Sequence, residues 1–87
     1  MKSGIYKITN IINGKVYVGQ AKNVKTRFTN QLYKMNKGEH HNEYLQRAFN
    51  KYGKDNFVYE IVEEISDLSI LDSREKFWID YYGGINS

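Results

Sequence analysis

Two short strings near the start of the chain, each pairing a tyrosine with a glycine, frame a predicted β-hairpin. Residues 4–6 read Gly-Ile-Tyr, residues 17–19 read Tyr-Val-Gly, and residues 13–14 between them read Asn-Gly. Asn-Gly between runs of branched and aromatic residues is the strongest short-range hairpin signal. The hairpin puts Tyr6 and Tyr17 on neighbouring antiparallel strands, and the glycines leave backbone room for the close approach of a partner. An ordinary amphipathic hairpin with tyrosine-rich strands is the alternative interpretation.

Hydrophobic periodicity predicts the elements that follow the hairpin. The predicted elements are strands 4–10 and 15–19, a helix from the cap Asn23 to Asn36, a helix from Asn42 to Gly53, a strand 56–63 and a helix from Asp67 or Ser69 to Tyr82. This β-β-α-α-β-α order predicts an α+β fold, a small three-stranded antiparallel sheet flanked by helices. Residues 1–87 are expected to form a single domain, excised from a longer protein.

Composition and charge limit the classes of function that the chain can have. The 87 residues can enclose one modest core, and the chain has no cysteine, which excludes disulfides and thiolate metal sites. Because no apolar run approaches membrane-spanning length and no signal peptide precedes the domain, we expect a soluble, cytoplasmic protein without membrane partners. The net charge of +3 is uneven, since residues 20–55 carry eight basic and three acidic side chains and residues 56–87 carry two and seven. A basic first two-thirds suits a polyanionic partner.

A carboxylate interrupts the apolar stripe of the last predicted helix. Leu71, Trp78 and Tyr82 share one face at helical spacing, and Glu75 lies between them. A carboxylate at a core-facing position costs free energy unless it is paired or bound to a cation. Glu75 is therefore either an edge residue that pairs with a nearby lysine or arginine, or a metal ligand or catalytic acid at the rim of a cleft.

Polar residues on the other two helices leave further alternatives open. Arg27 and Gln31 are four residues apart and share a face, where Arg27 either is a surface charge or presents its guanidinium to a phosphate. Arg47 and Lys51, also four residues apart, are interpreted as a solvated face that is able to contact the backbone of a polyanion. His40 lies in a polar loop beside the other histidine of the chain, and an adjacent pair is too few ligands for a metal site. Proton transfer by either histidine is a further possibility.

The chain resembles the GIY-YIG nuclease family along nearly its whole length. The two hairpin strings match the family signature, with Val18 in place of isoleucine. Arg27 follows Tyr17 by about ten residues, as the arginine of the family's first helix does, and Glu75 matches the glutamate of a later helix. Residues 45–53 (Leu-Gln-Arg-Ala-Phe-Asn-Lys-Tyr-Gly) resemble the corresponding string of phage intron-encoded homing endonucleases, which implies a phage or bacterial host cell.

The resemblance implies a divalent-metal-dependent endonuclease that hydrolyses a phosphodiester bond of double-stranded DNA. One ion, Mg²⁺ or Mn²⁺, would bind through Glu75 and stabilise the leaving oxygen, since a lone carboxylate suits magnesium. Arg27 would neutralise charge in the transition state. Tyr6 or Tyr17 would position or deprotonate the attacking water, and His40 matches a histidine of the homing branch. A separate C-terminal DNA-binding domain and a monomeric state are also implied.

Gln31 departs from the family pattern. Much of the family has a histidine four residues after the arginine, which could accept the proton of a tyrosine, whereas Gln31 can hydrogen-bond but cannot take a proton. Three explanations follow: one of the two histidines substitutes, the water is activated differently, or catalysis is impaired. The alternative functions are accordingly a DNA-binding module that has lost catalysis and a repair or restriction nuclease of the same family.

Overall fold

The fold places helices on both faces of a small sheet. In the computed structural model, which describes residues 2–40, 42–83 and 85–86, two 3₁₀ turns at Lys54–Asn56 and Leu68–Ile70 precede the third strand and the last helix. The main elements are β1 (Gly4–Asn10), β2 (Val16–Ala21), α1 (Val24–Asn36), α2 (Glu43–Tyr52), β3 (Phe57–Glu64), α3 (Leu71–Tyr82) and β4 (Ile85–Asn86). The predicted α+β class and the order of its six main elements are confirmed.

The sheet has the strand order β3-β1-β2-β4. β1 is antiparallel to β2 and β3, as predicted, while the two residues of β4 pair in parallel with Tyr17 and Val18. A strand of two residues leaves no periodicity, so the sequence could not predict it. The hairpin turn forms where Asn-Gly predicts it, since Gly14 has a φ of 75° and its N–H donates to the Asn10 carbonyl at 2.8 Å.

The sheet separates two apolar layers because side chains alternate between its faces. One face carries Tyr6, Ile8 and Tyr17 and packs on α1 and α2 through residues such as Met35 and Leu45. The opposite face packs on α3 and the segment before it, in a cluster formed by Ile5, Val18, Ile65 and Leu71, with Trp78 and Tyr82 packed against it. The tyrosines of the two strings therefore lie on the face opposite to α3.

Polar caps define the helix starts. Asn23 caps α1, as predicted, by accepting from the Thr26 N–H at 3.2 Å. Asn42, where the second helix was predicted to begin, is the cap of α2. Asp67 instead caps the 3₁₀ turn, so α3 begins at Leu71 rather than at 67 or 69. Gly83 ends α3 in the left-handed conformation, with a φ of 60°, whereas residue 84 lies outside the described residues.

None of the helices in the described part of the chain is both long and apolar enough to cross a membrane.

Candidate active site

Tyr6 occupies the space that Gly19 leaves open. The two residues are opposite each other in the β1–β2 pair, and a Cβ at Gly19 would overlap the Tyr6 hydroxyl. Phe28 packs edge-on against the Tyr6 ring at a centroid distance of 5.3 Å. At Gly4 a Cβ would overlap the Glu63 carbonyl of β3. The room predicted at both glycines is therefore used by the chain itself, and at Gly19 it positions a site residue.

A buried hydrogen-bond chain joins Tyr6 to His40 through Gln31. The Gln31 side-chain amide donates to the Tyr6 hydroxyl, and its Oε1 lies 2.8 Å from His40 Nε2. Gln31 is 3% exposed and His40 is 6% exposed, although His40 belongs to the connection between α1 and α2. The residue that departs from the family pattern is thus the link between a signature tyrosine and a histidine. The neighbouring residue 41 lies outside the described residues.

This hydrogen-bond chain has a defined direction. The backbone N–H of Asn42 donates to His40 Nδ1 at 3.0 Å, and a backbone N–H can only donate. In the neutral ring the proton therefore lies on Nε2, which donates to Gln31 Oε1. The Gln31 nitrogen is then turned toward Tyr6, whose oxygen accepts. Each hydrogen bond in the series from Asn42 through His40 and Gln31 to Tyr6 therefore has one donor and one acceptor.

Tyr17 is as deeply buried as Tyr6. Both side chains are 1% exposed and lie in the core cluster with α1 and α2. Burial, together with the nearby Tyr52 hydroxyl, raises the pKa of Tyr17 above the ordinary value for a tyrosine. The protonated phenol is therefore favoured at Tyr17.

Glu75 lies half-buried on α3, at the edge of the apolar stripe. The side-chain amide of Gln20 donates to Glu75 Oε1 at 3.3 Å and also to Asp72, one turn earlier on α3. Burial raises the pKa of Glu75; the Gln20 hydrogen bond opposes this rise, the Asp72 charge adds to it, and the Arg27 charge again opposes it. Among the described residues no lysine or arginine forms an ion pair with Glu75, so the predicted edge pairing with a cation is absent there.

Arg27 lines a cleft between the start of α1 and the start of α3. The cleft has a volume of about 450 Å³, and Gln20, Lys22, Asn30 and Leu71 also line it. The Arg27 side chain is exposed, and its charge is close enough to Glu75 to act on the pKa of that carboxyl group. The Arg27 guanidinium thus lines an open cleft, and Glu75 is joined to that cleft through Gln20, which lines the cleft and donates to the carboxylate.

The predicted site residues form two groups on opposite faces of the sheet. Tyr6 and Tyr17 lie on the face toward α1 and α2, with Gln31 and His40, whereas Glu75 belongs to α3 on the other face. The sheet lies between the two groups.

Two polar residues of these groups were not predicted from the sequence. Gln20 binds Glu75 and Asp72 from β2, and Gln46 binds the backbone of His40 from α2. Gln46 is next to Leu45 and three residues before Phe49, both buried. A polar residue among the buried positions of a helix is the same signal that singled out Glu75, and it would have identified Gln46.

The solvated face predicted for α2 is present. Arg47 and Lys51 are both exposed, and Arg47 forms an exposed ion pair with Glu43 at 3.3 Å. An exposed pair one helical turn apart contributes little to stability. Both side chains remain accessible to solvent and to a polyanion.

The donor set around Glu75 fits a hard divalent cation. Within the described residues no three histidine, cysteine, aspartate or glutamate side chains cluster as a closed metal site would require. Glu75 and Asp72 instead offer carboxylate oxygens that are joined by the amide of Gln20, a residue that lines the cleft. A bound cation would offset the cost of desolvating the charged Glu75 carboxylate. This open arrangement suits a cation that keeps most of its waters.

This small α+β domain has a tyrosine packed against a glycine of the neighbouring strand, and a cleft lined by an arginine whose charge acts on a half-buried carboxylate. These features are typical of a catalytic domain. The family model described as the GIY-YIG catalytic domain matches residues 2–86. The chain belongs to the GIY-YIG family of nuclease catalytic domains.

Similar proteins are intron endonucleases. Intron-associated endonuclease 1 of Enterobacteria phage T4 is 46% identical over 80 residues, which cover 91% of this chain and 32% of the relative. Probable intron-encoded endonuclease 1 of Neurospora crassa is 39% identical over 62 residues, which cover 71% of this chain and 19% of the relative. The chain therefore spans about a third or less of the curated relatives that it matches.

Solved structures of the catalytic domain of the homing endonuclease I-TevI have the same fold. One of them, a mutant, has a TM-score of 0.90 and 42% identity, with 99% of this chain and 93% of that chain covered. Another has a TM-score of 0.90 and 41% identity, with 98% and 97% covered.

Proposed function

We propose that this domain is an endonuclease of the homing type, which hydrolyses phosphodiester bonds of double-stranded DNA with the help of a divalent cation, Mg²⁺ or Mn²⁺. The observation that carries the proposal is a cleft lined by Arg27 and by Gln20, whose amide donates to Glu75, in a chain of the GIY-YIG family. A phosphate can approach an exposed guanidinium there while a cation is held by the carboxylate. The names of the similar endonucleases support the same reaction class.

Glu75 would hold the cation, with Asp72 as a neighbouring oxygen donor. The Gln20 amide orients both carboxylates, since it donates to each of them. When bound, the cation supplies Lewis-acid polarisation of the phosphate and stabilises charge on the leaving oxygen. Two nearby carboxylates on one helix favour a divalent cation over a monovalent one because more negative charge is neutralised.

Arg27 would bind the scissile phosphate. Its guanidinium is exposed in the cleft and has no carboxylate partner within ion-pair distance in the described part of the chain. A planar guanidinium can donate two parallel hydrogen bonds to phosphate oxygens, and the bonds strengthen as negative charge develops in the transition state.

Tyr6 is the better candidate for orienting the attacking water, because the hydrogen bond from Gln31 fixes the position of its oxygen. Burial raises the pKa of Tyr17, which disfavours a general-base role for that residue. His40 would act on Tyr6 indirectly, because Gln31 lies between the His40 ring and the Tyr6 hydroxyl.

The whole protein would recognise its DNA site through a further domain C-terminal to this one and would act as a monomer. The similar endonucleases extend well beyond the matched region, which supports a further domain. A catalytic domain by itself would then bind DNA weakly and through the phosphate backbone.

Nicking of supercoiled plasmid DNA at high protein concentration tests the proposal. Cleavage is expected with Mg²⁺ and is expected to stop with EDTA or in the Glu75→Ala variant. Asp80→Ala is the matched control, since Asp80 is an exposed carboxylate on the same helix, and this variant should keep the activity. Cleavage that persists in Glu75→Ala would contradict the role of Glu75, and DNA binding without cleavage by the unmodified domain would favour the impaired DNA-binding module.

A further inference from the structure

Gln46 connects three parts of the chain through its buried side-chain amide. Its Oε1 accepts the backbone N–H of His40 at 3.0 Å. Its nitrogen donates to the Met35 carbonyl in the last turn of α1 at 3.0 Å and to Asn50 Oδ1 at 2.9 Å. Gln46 is 8% exposed, and these bonds use the oxygen and both hydrogens of the amide.

These bonds fix the backbone at the point where the connection between α1 and α2 presents His40. A connection of this length is free to move unless its backbone groups are bound to the rest of the domain. The bond from the His40 N–H to α2 holds the residue next to the start of that helix. The ring can then accept the Asn42 N–H at Nδ1 and donate from Nε2 to Gln31.

We propose that Gln46 is a positioning residue for the reaction: it holds the His40 backbone so that the ring stays in the Nε2-protonated tautomer and keeps the Gln31 amide turned toward Tyr6. The inference rests on the proposed nuclease function and extends it by a residue that touches neither DNA nor the metal site. Gln46 acts on Tyr6 through two intermediate side chains, those of His40 and Gln31. Its expected effect is therefore on the orientation of the Tyr6 hydroxyl.

Packing alone does not require an amide at this position. Gln46 lies beside Leu45 and Phe49, and methionine, which has a similar shape, could fill the same space. Methionine would leave the His40 N–H and the Met35 carbonyl without this partner. Since an amide here must be desolvated, its net benefit comes from the groups that it binds.

The Gln46→Met variant tests the proposal by two readouts. The ¹⁵N shifts of the His40 ring, assigned with a His40→Gln variant, should indicate the Nε2-protonated tautomer in the unmodified domain and a mixture of tautomers in Gln46→Met. In plasmid nicking, kcat should fall by about 10- to 100-fold with little change in KM, because binding is retained and geometry is lost.

Phe49→Leu is the matched control, because it disturbs the same buried face of α2 without touching the hydrogen-bond chain. Its His40 tautomer and its kcat should remain close to those of the unmodified domain. Gln46→Glu keeps an oxygen toward the His40 N–H, so it should recover much of the kcat lost in Gln46→Met. Equal tautomer populations and equal kcat in Gln46→Met and Phe49→Leu would overturn the proposal.

The unmodified domain provides a test that does not depend on the folding of a variant. The His40 amide should exchange slowly with deuterium, as expected for a buried hydrogen bond, and fast exchange would overturn the proposal. Both NMR readouts remain valid if the domain does not cut DNA, so a failure of the proposed function and a failure of this inference are distinguishable.

Discussion

At the scale of single residues, the contact between Gly19 and Tyr6 links the hairpin to the site. A Cβ at Gly19 would overlap the Tyr6 hydroxyl, and Tyr6 is enclosed by its neighbours. Gly19→Ala should therefore move the Tyr6 ring away from Gln31, lower the rate of plasmid nicking and reduce the free energy of unfolding by about 1–3 kcal/mol. Urea unfolding and nicking rates measure the two effects.

Gly14→Ala is the control for this prediction. Gly14 lies at the hairpin turn with open space around it, but its φ of 75° disfavours alanine, so the variant should also lose stability, by about 1 kcal/mol. Its nicking rate should remain near that of the unmodified domain once the temperature is kept well below unfolding. Equal nicking rates in Gly19→Ala and Gly14→Ala would show that the contact between Gly19 and Tyr6 contributes to stability but not to catalysis.

Gln31 gives the second prediction at this scale. A histidine at this position would lie between the Tyr6 hydroxyl and the His40 ring, and unlike the amide it could accept a proton. Gln31→His should therefore raise the initial rate of nicking, because proton transfer from Tyr6 gains an acceptor. An unchanged or lower nicking rate would mean that glutamine in place of histidine at this position does not limit the activity.

At the scale of elements, Glu63 of β3 attaches α3 to the sheet. Its Oε1 accepts from Arg74 Nε at 2.8 Å and from Trp78 Nε1 at 3.0 Å. These two hydrogen bonds hold the pKa of Glu63 below its usual range. On α3, Arg74 directly precedes Glu75, and Trp78 follows Glu75 by three residues, about one helical turn. The contact with Glu63 therefore helps to fix the rotation of the helix that carries the proposed metal ligand.

The lowered pKa of Glu63 gives a prediction about stability and pH. A carboxyl group whose pKa is lowered by folding contributes in full above its unfolded pKa of about 4.3, and the contribution is lost as the pH falls through the folded-state value. Glu63→Gln should reduce the free energy of unfolding at pH 7 by about 1 kcal/mol or less, since the group is partly exposed. At pH 3 the difference should shrink. Urea titrations at both pH values measure it.

Glu60→Gln is the control on the same strand. Glu60 is exposed and lies 3.8 Å from Lys7, a weaker contact than that between Glu63 and Arg74. Its effect on the free energy of unfolding should be smaller at pH 7. A larger effect for Glu60 than for Glu63 would contradict the attachment of α3 through Glu63.

Local signals in the sequence were sufficient for most elements. The hairpin, α1 and α2 were predicted from the Asn-Gly turn, from the apolar periodicity, and from Asn23 and Asn42 at the predicted helix starts. These signals are sufficient because the hydrogen bonds that define the three elements are local. The start of α3 was misplaced since Asp67 caps a 3₁₀ turn, which has the same local signal as a helix cap.

The candidate site was only partly predictable. Glu75 was identified as a polar interruption of an apolar stripe, which is a property of one helix. The bond between Gln31 and His40, and the bonds that Gln46 makes to the connection, depend on how helices pack, and no sequence spacing encodes that arrangement. The separation of Glu75 and Tyr6 by the sheet follows from tertiary structure in the same way.

At the scale of the whole molecule, charge is arranged along the chain and in space. From residue 22 to residue 37, which covers α1 and its flanks, the chain has basic residues and no acidic one. Acidic side chains of β3 instead form ion pairs with basic residues of this domain, as in the pairs Lys2–Glu64 and Arg74–Glu63. The surface around α1 is therefore the part of the domain that favours contact with the DNA backbone.

Lys22 offers the sharpest test of this surface because its side chain is exposed and lines the same cleft as Arg27. If Lys22 contacts a phosphate, Lys22→Gln should lower DNA affinity at low salt and reduce the slope of log K against log[KCl] by about 1. Binding would be measured in EDTA over a series of KCl concentrations, so that the DNA stays intact. Lys15→Gln at the hairpin turn is the control, and its slope should be unchanged. An equal reduction of the slope in Lys22→Gln and Lys15→Gln would mean that DNA binding depends on the net charge of the domain rather than on the surface around α1.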